Sequence, residues 1–490
     1  MCAGEGGVAG CSSATGKYFR GWARATSTGI YYFYPMSNLS IFLAKSEVKA
    51  HDLEHKRKIQ FNIDKYTATV KKGKEQFANL ELARKKAKNI KWNAIEKLDL
   101  YLEEFEKNFV ARGGKVIWAE TAEEALEAIL QICNEKQAKQ VVKSKSMVTE
   151  EIHLNDFLAK HNIESVETDL GEYIQQLDSE PPYHIVTPAM HKSKEDVARV
   201  FHEKLGTEPN LSPQEITQIA RRNLRKKYRS AEVGITGGNF LIADIGAVVV
   251  NENEGNARLS TAFPKTHIAI VGIEKMLPSV NDLEIFWPLL ATYGTGQELT
   301  VYGNIFTGPR REGETDGPSE MYVILLDNGR TNLLRPEVRE SMYCIRCGSC
   351  LNACPVYKNI GGHAYGTTYS GPIGSVITPH IKDIDEYKHL SYASSLCGGC
   401  TEVCPVRINI HEMLLENRVI STRLGLNGFK ENSGWKLWKQ AMLSRKLMDA
   451  AGAGIKSRMF NIVFKKSWDK RHEQVQFPKK TFNQLWKEMK

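Results

Sequence analysis

Tyr343-Cys-Ile-Arg-Cys-Gly-Ser-Cys-Leu-Asn-Ala-Cys-Pro355 is the stretch whose reading decides this fold. Cys344, Cys347, Cys350 and Cys354 stand there in a C-x2-C-x2-C-x3-C-P run. In bacterial two-cluster domains this spacing wraps three thiolates around one iron–sulfur cube and sends the fourth to the other. Zinc sites seldom use the triple, so structural zinc is the disfavoured alternative. A second run, Leu396-Cys-Gly-Gly-Cys-Thr-Glu-Val-Cys-Pro405, is shorter: C-x2-C-x3-C-P. Crossed ligation assigns Cys344, Cys347, Cys350 and Cys404 to one cluster, and Cys354, Cys397 and Cys400 to the other. Position 394, where a further cysteine would complete the second run, is Ser394. We expect two [4Fe–4S] clusters, the second with three cysteine ligands, forming a short relay for single electrons.

Seven of the ten cysteines fall in this window, which is metal arithmetic rather than a disulfide framework. Thiolates at such density imply a reducing compartment, hence the cytoplasm. Cys133 lies on the apolar face of an expected helix and reads as core. Cys2 and Cys11 carry no expected role. Val8-Ala-Gly-Cys11 superficially resembles a lipoprotein cleavage site, but no basic and apolar leader precedes it. We read Met36 as the natural start, with residues 1–35 an extension.

The 490 residues are 42% hydrophobic and 25% charged, which excludes disordered, collagen-like and disulfide-scaffold classes and suggests several domains. No apolar run approaches the roughly 18 residues that span a bilayer; the longest, residues 240–250, is interrupted by Asp244. No transmembrane segment is expected. Net charge is +9, and residues 429–490 hold 15 Lys/Arg against 5 Asp/Glu, so the rest of the chain is nearly neutral. That tail also carries Trp435, Trp438, Trp468 and Trp486. It reads as a solvated helical face or a docking surface; no nucleic-acid motif accompanies it.

Upstream of the cysteines, residues 36–89 form a polar, basic helical segment, and a long helix then runs to a stop at Gly113-Gly114. Strands at 115–119, 140–142, 165–168 and 184–187 alternate with helices that open at Thr121, Thr149, Glu172, Ser193 and Pro213. Further β signal lies at 240–250, 267–271, 299–302 and 321–326, with a helix at 280–293. Such alternation makes residues 90–332 an α/β domain on a mostly parallel sheet. Residues 335–425 form the two-cluster domain, poor in core of its own, and 429–490 the basic Trp-rich segment.

Other chemistry is faint. No G-x-G-x-x-G or P-loop occurs, since Tyr293-Gly-Thr-Gly296 lacks the third glycine, so a built-in flavin or nicotinamide site is unsupported. Thr236-Gly-Gly-Asn239 and Ser144-Lys-Ser146 could cradle an anion, although tight turns between core strands explain them better. Glu252 and Glu254 read as exposed turn acids, with a carboxylate pair or nucleophile as the alternative. His363 and Tyr365 read as loop packing rather than cluster or partner contacts. No catalytic residue is assigned.

The two cysteine runs, with Val356-Tyr-Lys-Asn-Ile-Gly-Gly-His-Ala-Tyr-Gly366 between them and the Met147–Asn155 and Gly234-Ile-Thr-Gly-Gly238 stretches, resemble the lactate-utilisation protein B family from about Met36 onward. The resemblance implies an iron–sulfur electron-transfer subunit in cytoplasmic oxidation of L-lactate to pyruvate. It implies two companion proteins, a cysteine-repeat subunit and a small α/β homologue, with a downstream electron acceptor. It also implies an α/β domain like the fold of ribose-phosphate isomerases and coenzyme A transferases, followed by an α-helical ferredoxin-like domain, and it makes the absent eighth cysteine a family feature. Two rival readings stand: an iron–sulfur subunit of another 2-hydroxyacid or heterodisulfide-type oxidoreductase, and a self-sufficient α/β enzyme for a phosphorylated or coenzyme A substrate.

Overall fold

In the computed structural model, which describes residues 37–450, 452–463, 473 and 475–489, four helices come first: α1 (Asn38–Ala50), α2 (Leu53–Gly73), α3 (Leu80–Glu96) and α4 (Leu98–Val110). The expectations for Cys2, Cys11, Met36 and Trp468 lie outside these residues. Ser37, Asp52 and Asn79 cap the first three helices, each side chain accepting a backbone N–H three residues on. The long helix expected to reach Gly113 is broken at Lys97, whose φ of −122° and ψ of 36° are not helical. The boundary drawn at residue 90 therefore falls inside α3, whose buried face runs from Ala87 to Ile95 across it.

Next come β1 (Lys115–Ala119), α5 (Ala122–Glu135), β2 (Gln140–Lys143), α6 (Met147–Glu151), α7 (Leu154–Lys160), β3 (Glu164–Glu167), α8 (Leu170–Asp178), α9 (Lys194–Leu205), α10 (Pro213–Ser230) and β4 (Val233–Thr236). After them run β5 (Phe240–Ile242), β6 (Ala247–Glu252), α11 (Asn256–Ala262), β7 (Thr266–Gly272), β8 (Met276–Leu277), α12 (Leu283–Thr295), β9 (Tyr302–Phe306) and β10 (Glu320–Leu326). Six strands form one sheet in the order β1-β10-β7-β4-β2-β3. Every neighbouring pair in it is parallel. Every residue of β7 is buried, as a sheet covered on both faces requires. Ile268 and Ile270 pack with Ile129 of α5 and Leu154 of α7, while Ala269 and Val271 face the second sheet, so the strand's period of two divides the core.

Four local expectations need correction. The helix expected over 149–160 is two helices, because His153 takes a left-handed φ of 54° between them. Residues 184–187 are not a strand: His184 Nδ1 accepts from Val186 N at 3.1 Å and Thr187 N at 3.2 Å, which curls the chain. The run 240–250 is an antiparallel hairpin of β5 and β6, turned at Gly246 (φ 53°). The strand expected at 299–302 begins only at Tyr302. The hairpin joins β8 and β9 in a second sheet, β8-β5-β6-β9, which strand–helix alternation does not foretell. A Cβ at Gly246 would lie 2.3 Å from Phe109 N. Gly246→Ala is therefore expected to destabilise the protein by about 3 kcal/mol, through left-handed strain plus overpacking, measurable by urea unfolding.

The connections fix where a ligand could enter. From β2 the chain passes outward to β3, whereas from β4 it passes to β7 on the other side. β2 and β4 are thus neighbours at a topological switch point, where a crevice opens beyond the carboxyl ends of the strands.

The cysteine-rich segment consists of short helices: α13 (Ser349–Ala353), α14 (Pro355–Ile360), α15 (Gly371–Ile381), α16 (Ile384–Tyr387), α17 (His389–Tyr392), α18 (Gly399–Glu402) and α19 (Ile410–Arg423). It has more core than its sequence suggests. Leu351, Tyr357, Val376 and Val406 are buried in one cluster with Phe42 of α1 and Ile59 of α2. From residue 420 the chain forms a separate unit containing α20 (Phe429–Leu443), α21 (Arg445–Ala450), α22 (Ala453–Val463) and α23 (Phe482–Glu488). Trp435, Trp438 and Trp486 are exposed on it. Among the described residues no helix is long and apolar enough to cross a membrane.

Candidate metal centres and the adjoining cavity

Local backbone geometry brings the seven thiols together. Arg346 (φ 59°) and Gly348 (φ 79°) bend the first loop so that Cys344 and Cys347 precede α13, which carries Cys350. Leu396 (φ 53°) and Gly398 (φ 80°) bend the second loop in the same way before α18, which carries Cys400 and packs against α13. Burial pushes Cys347 up to about 11, and Cys344 adds to it. Burial also raises Cys404, and Cys347 and Cys344 raise it further. Cys350, between the two loops, is raised by burial, then by Cys344, Cys347, Cys404 and Cys400. In the other group burial pushes Cys400 up to about 11, helped by Cys354 and Cys397. Cys354 is raised by burial and by Cys397. Cys397, exposed, is lowered by the Gly399 amide.

Buried thiols whose ionisation is opposed first by burial and then by one another suit a site where iron supplies the compensating charge. No disulfide forms among them. Among the described residues no three of their sulfurs lie within 4.8 Å of one another. A tetrahedral zinc with bonds of about 2.3 Å would hold its thiolates roughly 3.8 Å apart. Backbone N–H groups of Arg346 and Ile408 point at Cys344 Sγ and Cys404 Sγ, each at 3.4 Å. Ser394 is turned to local use: its hydroxyl accepts from Leu396 N at 3.1 Å.

The residues around the loops carry no sequence signature. Arg84 of α3 donates to Cys404 O (2.8 Å) and Glu402 O (2.7 Å), stapling the second loop to the N-terminal helices. Arg330, 2% exposed, lies between Glu151 (2.8 Å) and Glu274 (2.7 Å). Glu274 in turn lies 3.5 Å from Arg346 in the first cysteine loop. Tyr369 donates to Glu151 at 2.5 Å and lies under the Arg346 guanidinium at 4.2 Å. Lys91 donates to Glu274 O at 2.6 Å. This buried charge network ties the parallel sheet to the first loop. Isolated basic and acidic residues spread over nearly 280 positions leave no pattern from which it could be read.

The remaining candidates separate. Glu252 is not an exposed turn acid: it is 9% exposed, and its oxygens accept from Ala257 N (2.6 Å), Arg258 N (2.9 Å) and Asn304 Nδ2 (2.9 Å), capping α11. Glu254 is exposed and accepts from Leu170 N at 3.0 Å. Tyr365 is buried, and Cys354 and Cys350 add to the effect of burial on its hydroxyl. His363 Nε2 bonds Pro181 O at 2.8 Å. Both pack their loop. His363 also lies near Glu180 and His191, but Lys192 already occupies Glu180 at 2.9 Å. Cys133 is fully buried core.

The two glycine- and serine-bearing turns, unremarkable singly, meet at the switch point. Ser144, Lys145, Ser146 and Gly237, Gly238, Asn239 line one cavity of about 380 Å³, together with Lys275 and with Arg346 and Cys347 from the first cysteine loop. The glycines themselves serve packing. A Cβ at Gly237 would lie 2.7 Å from Ser146 Oγ, and one at Gly238 2.8 Å from Val271.

Residues 102–326 match the LUD domain family, and residues 340–408 match the 4Fe-4S dicluster domain family. The chain is 50% identical over 345 residues to a lactate utilization protein B of Bacillus velezensis, covering 70% of this chain and 72% of that one. It is 49% identical to the protein of the same name from Geobacillus thermodenitrificans, over 71% and 73% of the two chains. The protein of that name from Bacillus subtilis is also 49% identical, over 70% and 72%. A crystal structure of a DUF162 family protein from Deinococcus radiodurans covers 47% of this chain at 14% identity; its TM-score of 0.27 is too slight to argue from.

Proposed function

The chain belongs to the lactate utilization protein B family, and on that premise we propose that it is an iron–sulfur electron-transfer subunit in the cytoplasmic oxidation of L-lactate to pyruvate. The observation that supports the reading is the meeting of the two cysteine loops, where α13 with Cys350 packs against α18 with Cys400. Cys344, Cys347, Cys350 and Cys404 would hold one [4Fe–4S] cluster, and Cys354, Cys397 and Cys400 the second. When bound, such clusters supply one-electron transfer.

The chain's own residues do the rest. Arg346 and Lys275 bring positive charge close to Cys344, offsetting the negative charge of ligated thiolates. Arg84 and the Arg330 network hold the loops against the helices and the sheet. No side chain here is assigned to the chemistry on lactate, so that step falls to companions: a cysteine-repeat subunit and a small α/β homologue, with a further protein or cofactor taking the electrons. We read the α/β domain as related to the ribose-phosphate isomerase and coenzyme A transferase fold, and the Trp/Lys surface of the tail as the docking face for a companion.

The test is direct. The anaerobically purified chain should be brown and contain iron and sulfide, yet fail to oxidise lactate with an artificial acceptor until both companions are added. Steady turnover by the chain alone would overturn the reading. Within the same preparation, Arg84→Ala should cost about 2 kcal/mol of local stability, because it removes charged hydrogen bonds to two carbonyls. Iron held through Cys404 should then pass to a chelator several-fold faster, while iron held through Cys397 leaves at the parent rate.

A further inference from the structure

The cavity at the switch point contains polar groups that the fold leaves unused. Lys275 is 6% exposed and has no hydrogen-bond or ion-pair partner within 4 Å among the described residues. Ser144 Oγ, Asn251 Oδ1 and Arg346 Nη1 are buried with no partner, and all three residues line the same cavity. A buried polar group without a partner costs about 1–3 kcal/mol, and more when charged. Three such atoms in one cavity, with the unpaired Lys275 beside them, therefore point to an occupant.

Its charge follows from which groups are free. Of the acids lining the cavity, Glu252 engages both oxygens with α11 and Asn304. Asp169 accepts from Glu172 N at 3.1 Å and faces Lys145 at 3.9 Å. Glu254 accepts from Leu170 N at 3.0 Å. Of the cations, Lys145 donates to Val186 O at 2.8 Å, whereas Arg346 and Lys275 are less engaged. Arg346 reaches Glu274 with one nitrogen only, at 3.5 Å. Burial lowers Lys275 to about 8 against the pull of Glu274, and no acid of the cavity lies within ion-pair distance of it among the described residues. The volume of about 380 Å³ falls in the range of small-molecule sites, and Leu290 and Ala291 add apolar wall.

We propose that this cavity binds a small organic anion, with its carboxylate or phosphate oxygens held by Lys275, Arg346 and Ser144, next to Cys347. The site lies where open α/β sheets bind ligands, beyond the carboxyl ends of strands whose connections diverge. Binding stands on the cavity alone and does not rest on the electron-transfer reading. A chain that accepted no electrons from its companions would fail that reading while still binding the anion.

Calorimetric titration of anaerobically prepared holoprotein with L-lactate, pyruvate, inorganic phosphate and coenzyme A should saturate for at least one of them. Saturation by lactate or pyruvate alone identifies a carboxylate site, and saturation by phosphate or coenzyme A a phosphate site. Lys275→Met should weaken that binding at least about tenfold, and Lys275→Arg should restore most of it, with each affinity referred to the cluster content measured by iron analysis in the same sample. Saturation by none of the four, or equal affinity in Lys275→Met, would overturn the proposal. In that case the two cations serve only to balance the charge of the cluster.

Discussion

Cys404→Ala is expected to destroy the same cluster as Cys344→Ala, although the two cysteines belong to different sequence runs. Both substitutions should remove about half of the iron, because each takes a thiolate from one cube of two. Cys397→Ala should abolish the other cluster. The two centres should also differ before any mutation. A cluster held by Cys354, Cys397 and Cys400 leaves one iron without a cysteine, and Ser394 is turned away to Leu396 N. A neutral hydroxyl is in any case a weak substitute for thiolate. That cluster should lose its unique iron in air and give a three-iron signal, while the four-thiolate cluster persists. Anaerobic iron analysis with spin quantitation checks both points. Two equally air-stable four-iron signals, or survival of the Cys344 cluster in Cys404→Ala, would contradict the crossed assignment.

The second large effect concerns Arg330. Replacing it by Met leaves Glu151 and Glu274, with side chains 1% and 3% exposed, without their shared cation. Removing one partner of a buried ion pair costs about 3–5 kcal/mol. Urea unfolding of the holoprotein should show a loss of this size. The loss should depend on pH in a definite direction. Burial alone would raise both carboxyls, but Arg330 outweighs it and holds Glu151 and Glu274 below the usual carboxylate range. Groups depressed in this way stabilise the parent above their unfolded pKa, about 4.3 for Glu, and that contribution fades as the pH falls below it. In Arg330→Met, Glu151 keeps only the neutral donors Tyr369 and Asn328, while Glu274 keeps Arg346 at 3.5 Å, so Glu151 above all protonates more readily. The gap between parent and variant should therefore be widest near neutral pH and shrink toward pH 4. A gap that is constant across that range would mean that the variant suffers from lost packing rather than unpaired charge.

Several features were legible in the chain by itself because each depends on near neighbours. Cysteines three and four positions apart can meet one metal centre only on a tight loop, so the two runs and their chemistry appear in the residue order. β1, β7 and β10, and helices such as α5 and α10, follow from local periodicity and from caps at Thr121 and Ser212, which act within one turn. The α/β class follows from their alternation.

Where the sequence misled, a tertiary partner had overridden the local signal. His184 curls a stretch of β-forming residues by accepting two backbone N–H groups. Gly246 folds one apolar run into a hairpin against Phe109, and a second sheet grows from it. Glu252, polar and at a strand end, is drawn inside because the N–H groups of α11 need an acceptor there.

The residue order alone thus determined the kinds of element, the sheet class and the thiol-rich loops, because each arises from groups a few residues apart. Only the tertiary structure decided that Arg84 reaches Cys404 O, that Arg330 joins Glu151 to Glu274, and that Lys275 stands unpaired in a cavity beside Cys347. Those relations join residues far apart in the chain, and chain topology, not local pattern, sets which of them share a dry interior.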